Sequence, residues 1–137
     1  MTTTKTQPKP VVTAPTVQFK PGPSMLGFLE GRAKVWDVTV GEATKRCAII
    51  GGLGFDPRHH DLLAQLADRH HDRRQPFVSA AVDARRLIAD FEMQELRRRG
   101  VKAFNLPVTQ TRDVLRQMIK DIEAAEPGAA WSIGDLA

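Results

Sequence analysis

The sequence predicts a small single α/β domain, a β-hairpin followed by alternating helices and strands, carried behind an extended N-terminal arm. Three observations lead there. Lys34, Trp36, Val38 and Val40 alternate with Val35, Asp37 and Thr39, which is the period of a half-buried strand. The run Phe77-Val78-Ser79-Ala80-Ala81-Val82 follows Gln75-Pro76 and opens with an aromatic and a β-branched residue, which favours a strand. Apolar runs of this kind alternate with helical periodicities, the order that builds right-handed crossovers. The competing arrangement is a winged helix, with helices over 62–72, 78–87 and 88–99 and a wing over 101–108.

Residues 1–24 hold five prolines (Pro8, Pro10, Pro15, Pro21, Pro23) and few apolar side chains. Alone in water such a stretch buries too little surface to offset its ordering entropy, so an extended or disordered arm is expected. Its Val11, Val12, Val17 and Phe19 are candidate partner-binding residues. The globular domain is expected over 25–128. It opens with the apolar group Met25, Leu26, Phe28 and Leu29, followed by strands over 32–40 and 45–50 joined by a turn at Gly41–Thr44.

A glycine-rich stretch, Gly51-Gly52-Leu53-Gly54, precedes Asp56 and Pro57, which suit the N-cap and first position of a helix. That helix should carry Leu62, Leu63 and Leu66 inward and end near 72–74, before Pro76. The next is expected over 84–99, closed by Gly100, with Arg97, Arg98 and Arg99 placed favourably for the helix dipole. It has two apolar stripes, Ala84/Leu87/Ile88/Phe91 and Ala89/Met93/Leu96, so one is assigned to the core and Met93 and Leu96 to an interface. A strand over 101–106 leads to Pro107. Thr109 or Thr111 then caps a helix with the stripe Val114, Leu115, Met118, Ile119 and Ile122. The tail 129–137, with Trp131, is expected to dock as a latch.

The chain's 137 residues fit one domain, and 42% apolar with 26% charged residues is ordinary for a soluble protein. No apolar run approaches the ~18 residues of a membrane span and the start lacks a secretory signal pattern, so a cytoplasmic protein without membrane contact is expected. A single cysteine, Cys47, excludes an internal disulfide and a cysteine-based metal site within one chain. A net charge of +4 and a pI of 9.6 favour anionic partners.

All four histidines fall in 55–72, where Arg-His-His-Asp occurs twice, at 58–61 and 69–72. Eleven residues is just over three helical turns, which would set the copies on one side about 16 Å apart. His59 and His70 then share the leucine face, with His60 and His71 on its flank. Two readings follow: a metal or proton-switch site completed by Asp61 or Asp72 and a neighbouring chain, or histidines hydrogen-bonded at the rim of the core. The second is favoured, because no Cys or Glu lies at ligand spacing.

The Gly51–Gly54 loop has the setting of a phosphate cradle, but the third glycine of a dinucleotide fingerprint is missing and Asp56 stands where phosphate would sit. Arg85, Arg86, Arg97, Arg98 and Arg99 are candidate nucleic-acid contacts on a basic patch. Six phenylalanines, two tryptophans and no tyrosine do not support readout by base stacking. Cys47 reads as a small hydrophobe inside a strand, and Ser79 and Asp83 as site candidates near a strand end. The order strand, Gly-rich turn, Asp-Pro and helix resembles small α/β chelatases. Gly52 stands where that pattern carries a metal-binding histidine, so no metal function is transferred.

The functional expectation is a non-catalytic accessory or assembly protein that uses no cofactor. It would bind partner subunits or its own copies through the arm and an apolar helix face, with a basic face open to nucleic acid. The alternatives are a winged-helix DNA-binding regulator and a small enzyme or ligand-binding protein using the Gly51–Asp56 loop and its neighbouring histidines.

Overall fold

The computed structural model describes residues 20–125 and 127–136, and their regular structure is helical: five α-helices and two short 3-10 turns. Neither the β-hairpin, nor the strands expected over 77–82 and 101–106, nor the wing forms. The one bridge among the described residues pairs His70 with Trp131. The α/β class and its winged-helix alternative are both corrected, and each misread stretch has a local cause.

Helix α1 (Pro23–Trp36) starts on a proline, whose fixed φ suits the first helical position. It ends at Asp37, which adopts a left-handed φ of 56° so that its N–H closes on the α1 carbonyls. Helix α2 (Val40–Gly52) begins immediately. The Thr39 side chain accepts from the Glu42 N–H at 3.1 Å, the first half of a Thr-x-x-Glu capping box. The strand-like alternation of 34–40 is therefore the end of one helix, a cap and the start of the next. Gly41–Thr44, expected as a turn, is the first turn of α2, and Cys47 lies on that helix, half-buried.

Gly51 and Gly52 close α2. The N–H groups of Leu53, Gly54 and Phe55 are spent on the carbonyls of Ile49, Gly51 and Ile50, with Gly54 at φ 76°. Asp56 accepts from the Arg58 N–H at 2.9 Å and opens a short 3-10 turn, Pro57–His59, that runs into α3 (His60–Asp68). The predicted start of this helix is correct. Its end comes four residues before Asp72, so the second Arg-His-His-Asp is not helical.

Helix α4 (Pro76–Arg99) spans what the sequence divides into a strand and a helix. Pro76 starts it rather than ending its predecessor. Phe77, Ala80, Ala81, Ala84 and Ile88 are all buried, and their spacing of three, one, three and four is one helical stripe. Gly100 terminates it in the left-handed region, φ 69°. Residues 101–107 run without regular structure to α5 (Val108–Ala125), which buries Thr111, Leu115, Met118, Ile119 and Ile122.

The core lies where α3 meets α4 and α5, around Leu62, Leu63, Leu66, Ala81, Ile88, Leu115 and Met118. Each such leucine or isoleucine contributes about 1.5–3 kcal/mol by burial. The α1–α2 hairpin packs against this body through Ile50 and Trp36, leaving the outer side of α1 open. Trp131 docks as expected of the tail: its indole N–H donates to the Leu66 carbonyl at 2.9 Å, and its backbone N–H to Arg69 at 3.1 Å.

Candidate functional site

The duplicated histidines separate into four environments. His60, expected on the flank, is buried by a long-range contact: the Trp36 ring of α1 stacks on it at 3.7 Å and 7°, with Phe77 of α4 on its other side at 5.5 Å. Arg46 of α2 approaches its Nε2 at 3.2 Å. A guanidinium only donates, so Nε2 is the acceptor and the proton sits on Nδ1. Burial, and then the Arg46 charge, push the His60 pKa down to about 4. This histidine is an uncharged aromatic tie between three helices.

His70 lies just beyond α3, 2% exposed. The Asp72 backbone N–H donates to its Nδ1 at 3.1 Å, which places the proton on Nε2, and Nε2–H donates to the Asp83 carboxylate of α4 at 2.8 Å. Asp72 in turn accepts from the Ser79 hydroxyl and from the N–H groups of Arg74 and Gln75, which secures the start of α4. Those bonds hold the Asp72 carboxyl below its ordinary range. Ser79 and Asp83 thus come together as the sequence suggests, but on a helix and around His70. Both His70 nitrogens and the Ser79 proton are committed, so this constellation has no free base to activate a nucleophile. His71 is exposed and donates from Nδ1 to the Trp131 carbonyl at 2.9 Å.

His59 differs from the others. It is buried beside Phe55, and its Nδ1 is the one buried side-chain polar atom without a hydrogen-bond partner among the described residues. Burial is the main cause of a lowered pKa, which keeps the ring neutral. His59 lines a cleft of about 400 Å³ with Asp56, Arg85, Glu92, Asn105 and Thr111. Arg85 is paired with Glu92, whose other oxygen accepts the Leu106 N–H at 3.0 Å and so holds the 101–107 segment as one wall. The Gly51–Gly54 amides, spent on capping α2, are not available to a phosphate. No group of three His, Cys, Asp or Glu side chains suited to a metal ion forms among the described residues.

The candidate arginines lie on different sides of α4. Arg85 faces the cleft, and Arg98 and Arg99 pair with Glu95 at 2.8 and 3.2 Å. Arg86 and Arg97 have no ion-pair partner among the described residues. Of the partner-binding candidates, Met93 is exposed on α4 and Leu96 half-buried, while Val11, Val12, Val17 and Phe19 lie outside the described residues. Sequence reasoning missed Phe91, which it assigned to the core but which is 42% exposed, and Met25, Leu26 and Phe28, exposed on α1. Nothing in the Leu87/Phe91 stripe signals that α5 leaves an open groove beside it.

No family model, no curated protein and no solved structure matches this chain. No helix of the described residues is long and apolar enough to cross a membrane.

Proposed function

We propose that the chain is a non-catalytic accessory or assembly protein that binds partner polypeptides through exposed helix faces. The observation that supports this most is the large apolar side chains left exposed on helix surfaces: Phe28 (52% exposed) clustered with Met25 and Leu26 on α1, and, on different sides of the distal half of α4, Phe91 and Met93 (48%). Clustered exposure of this kind marks interaction surfaces in soluble proteins. A nucleic-acid contact would run through Arg86 and Arg97, the two candidate arginines not engaged with a carboxylate. The test is affinity purification of the full chain with identification of bound polypeptides. A stoichiometric partner lost on Met93→Asp or Phe28→Asp supports the reading, and equal recovery with both variants removes it.

A second reading rests on His59. An unsatisfied buried nitrogen costs about 1–3 kcal/mol unless something bonds to it, and the adjoining polar cleft has room for a small neutral ligand. Ring-nitrogen NMR of His59 tests this. A shift of Nδ1 on adding small amides or alcohols supports a ligand site, and an Nδ1 unmoved by any of them leaves only a water.

A further inference from the structure

The charged groups that line the His59 cleft are already engaged. Both oxygens of Asp56 accept from Arg58, in three bonds at 2.9 Å. Both oxygens of Glu92 accept as well, one from Arg85 at 2.5 Å and one from the Leu106 N–H at 3.0 Å. The cleft therefore has no unmatched carboxylate for a cation and no unmatched cation for an anion, and a charged ligand would lose its hydration without a counter-charge. What remains is neutral hydrogen-bonding capacity. Arg85 uses Nη2 on Glu92, and its other N–H groups make no hydrogen bond among the described residues. The Thr111 hydroxyl and the Asn105 amide, each able to donate and to accept, line the same space.

His59 supplies the complementary group. It is 2% exposed, Phe55 meets its ring near-perpendicularly at 6.1 Å, and the cleft is the cavity that it lines, so a partner for Nδ1 comes from there. Burial keeps the ring neutral, so one nitrogen carries the proton and the other a lone pair. The carboxylates that would accept from an Nδ1–H are engaged elsewhere, and an orphaned buried N–H is rarer than an orphaned acceptor. The proton accordingly belongs on Nε2, which leaves Nδ1 as an acceptor in need of a donor. A ligand must then give a hydrogen to Nδ1 and accept from Arg85. One hydroxyl does both only where its single oxygen reaches both groups. A primary carboxamide does it with separate atoms and has a second N–H for Thr111 or Asn105, while Phe55, Leu106 and Val108 give its carbon body an apolar wall.

We infer that the cleft binds a small neutral molecule through a primary carboxamide, whose N–H donates to His59 Nδ1 and whose carbonyl accepts from Arg85. This rests on the reading of His59 as part of a ligand site and names the class of that ligand. The volume of about 400 Å³ lies at the lower end for small-molecule sites, which fits a free amide.

The experiment is nitrogen NMR of the full chain, following His59 as butanamide, N,N-dimethylbutanamide, butan-1-ol and butanoate are added in turn. Butanamide should move the Nδ1 signal saturably. The dimethyl form has no N–H donor and butanoate carries a charge in place of one, so each should bind about tenfold more weakly or worse, as should butanol. In ligand-observed saturation-transfer NMR, His59→Phe, with its fold confirmed by circular dichroism, should lose about tenfold in butanamide affinity; should that variant unfold, the compound series on wild type decides alone. An Nδ1 found protonated, equal responses to butanamide and its dimethyl form, or unchanged binding in His59→Phe overturns the inference. Butanol or butanoate acting as strongly as butanamide leaves the ligand site standing and removes the carboxamide, whereas no response to any compound removes both. A glutamine peptide with blocked ends separates the two sources of the group: weaker binding than butanamide supports a free amide, and tighter binding overturns it in favour of a partner's glutamine.

Discussion

Removing the Trp131 side chain should show whether the last described segment is part of the folding unit. Trp131 is 2% exposed, seated against the end of α3 with its ring edge toward His70 at 4.7 Å. Truncating a buried tryptophan to alanine costs about 3–5 kcal/mol, the lost transfer energy plus the cavity left behind. Trp131→Phe keeps most of the volume and loses only the indole donor. The Leu66 carbonyl it leaves still accepts the Arg69 N–H at 3.1 Å, so no orphan is created and the cost should be about 1 kcal/mol. Urea unfolding at pH 7, followed by helical circular dichroism, measures both. At roughly 4 °C per kcal/mol for a domain of this size, Trp131→Ala should also melt about 12–20 °C lower. If Trp131→Ala lies within 1 kcal/mol of wild type with an unchanged slope, the tail is an ornament and not a latch.

Three further predictions concern the other joints of the fold. His60 is neutral when folded, and its pKa of about 4 lies below the ordinary 6.5, so its stabilisation is complete above pH 6.5 and declines as pH falls toward 4. That interval corresponds to roughly 3 kcal/mol, which solvent reaching Arg46 beside it screens to about 1–2 kcal/mol; His60→Phe, which keeps the stack on Trp36, should flatten this part of the stability–pH curve, and an unflattened curve would assign it elsewhere. Thr39→Ala should cost about 1 kcal/mol in chemical denaturation by removing the α2 cap, and Thr39→Ser only a few tenths; equal losses in the two would count against capping. Asp83→Ala strands the His70 Nε2–H in the core at about 2–3 kcal/mol, and nitrogen NMR of the wild type should find His70 protonated on Nε2, with an Nδ1-protonated ring contradicting the bonding described.

What the sequence made legible is local and chemical. Asp56-Pro57 begins a helix, Gly100 ends one, and the Val114–Ile122 stripe is amphipathic, because capping and periodicity act over a few residues. That His59 and His70 face inward was also legible, as was the docking of the tail by its tryptophan. The fold class was not, and the errors share one origin. Period-two alternation over seven residues predicts a strand, although a helix end and a helix start lie inside it and Thr39-x-x-Glu42 is the sign of that junction. The β-branched Val78 outweighed the longer pattern from Phe77 through Ile88, which shows helical spacing only when read past Val82. The burial of His60 by Trp36 joins residues 24 positions apart in the chain, which no window of local periodicity contains.

The same comparison of lengths explains why surface was mistaken for core at Phe91. Helix α3 has 9 residues and α4 has 24, so at about 1.5 Å per residue roughly 20 Å of α4 runs on past anything α3 can cover. Ile88 is the last fully buried residue of α4, and the large apolar side chains that follow it, Phe91 and Met93, are about half exposed. The extension exposes Phe91 and Met93 on different sides, and Asp90 shares the edge of Arg86 and Arg97, four residues from one and seven from the other. The exposed side chains beyond Ile88 and the unpartnered Nδ1 of His59 are thus two features that the packing of the core does not account for.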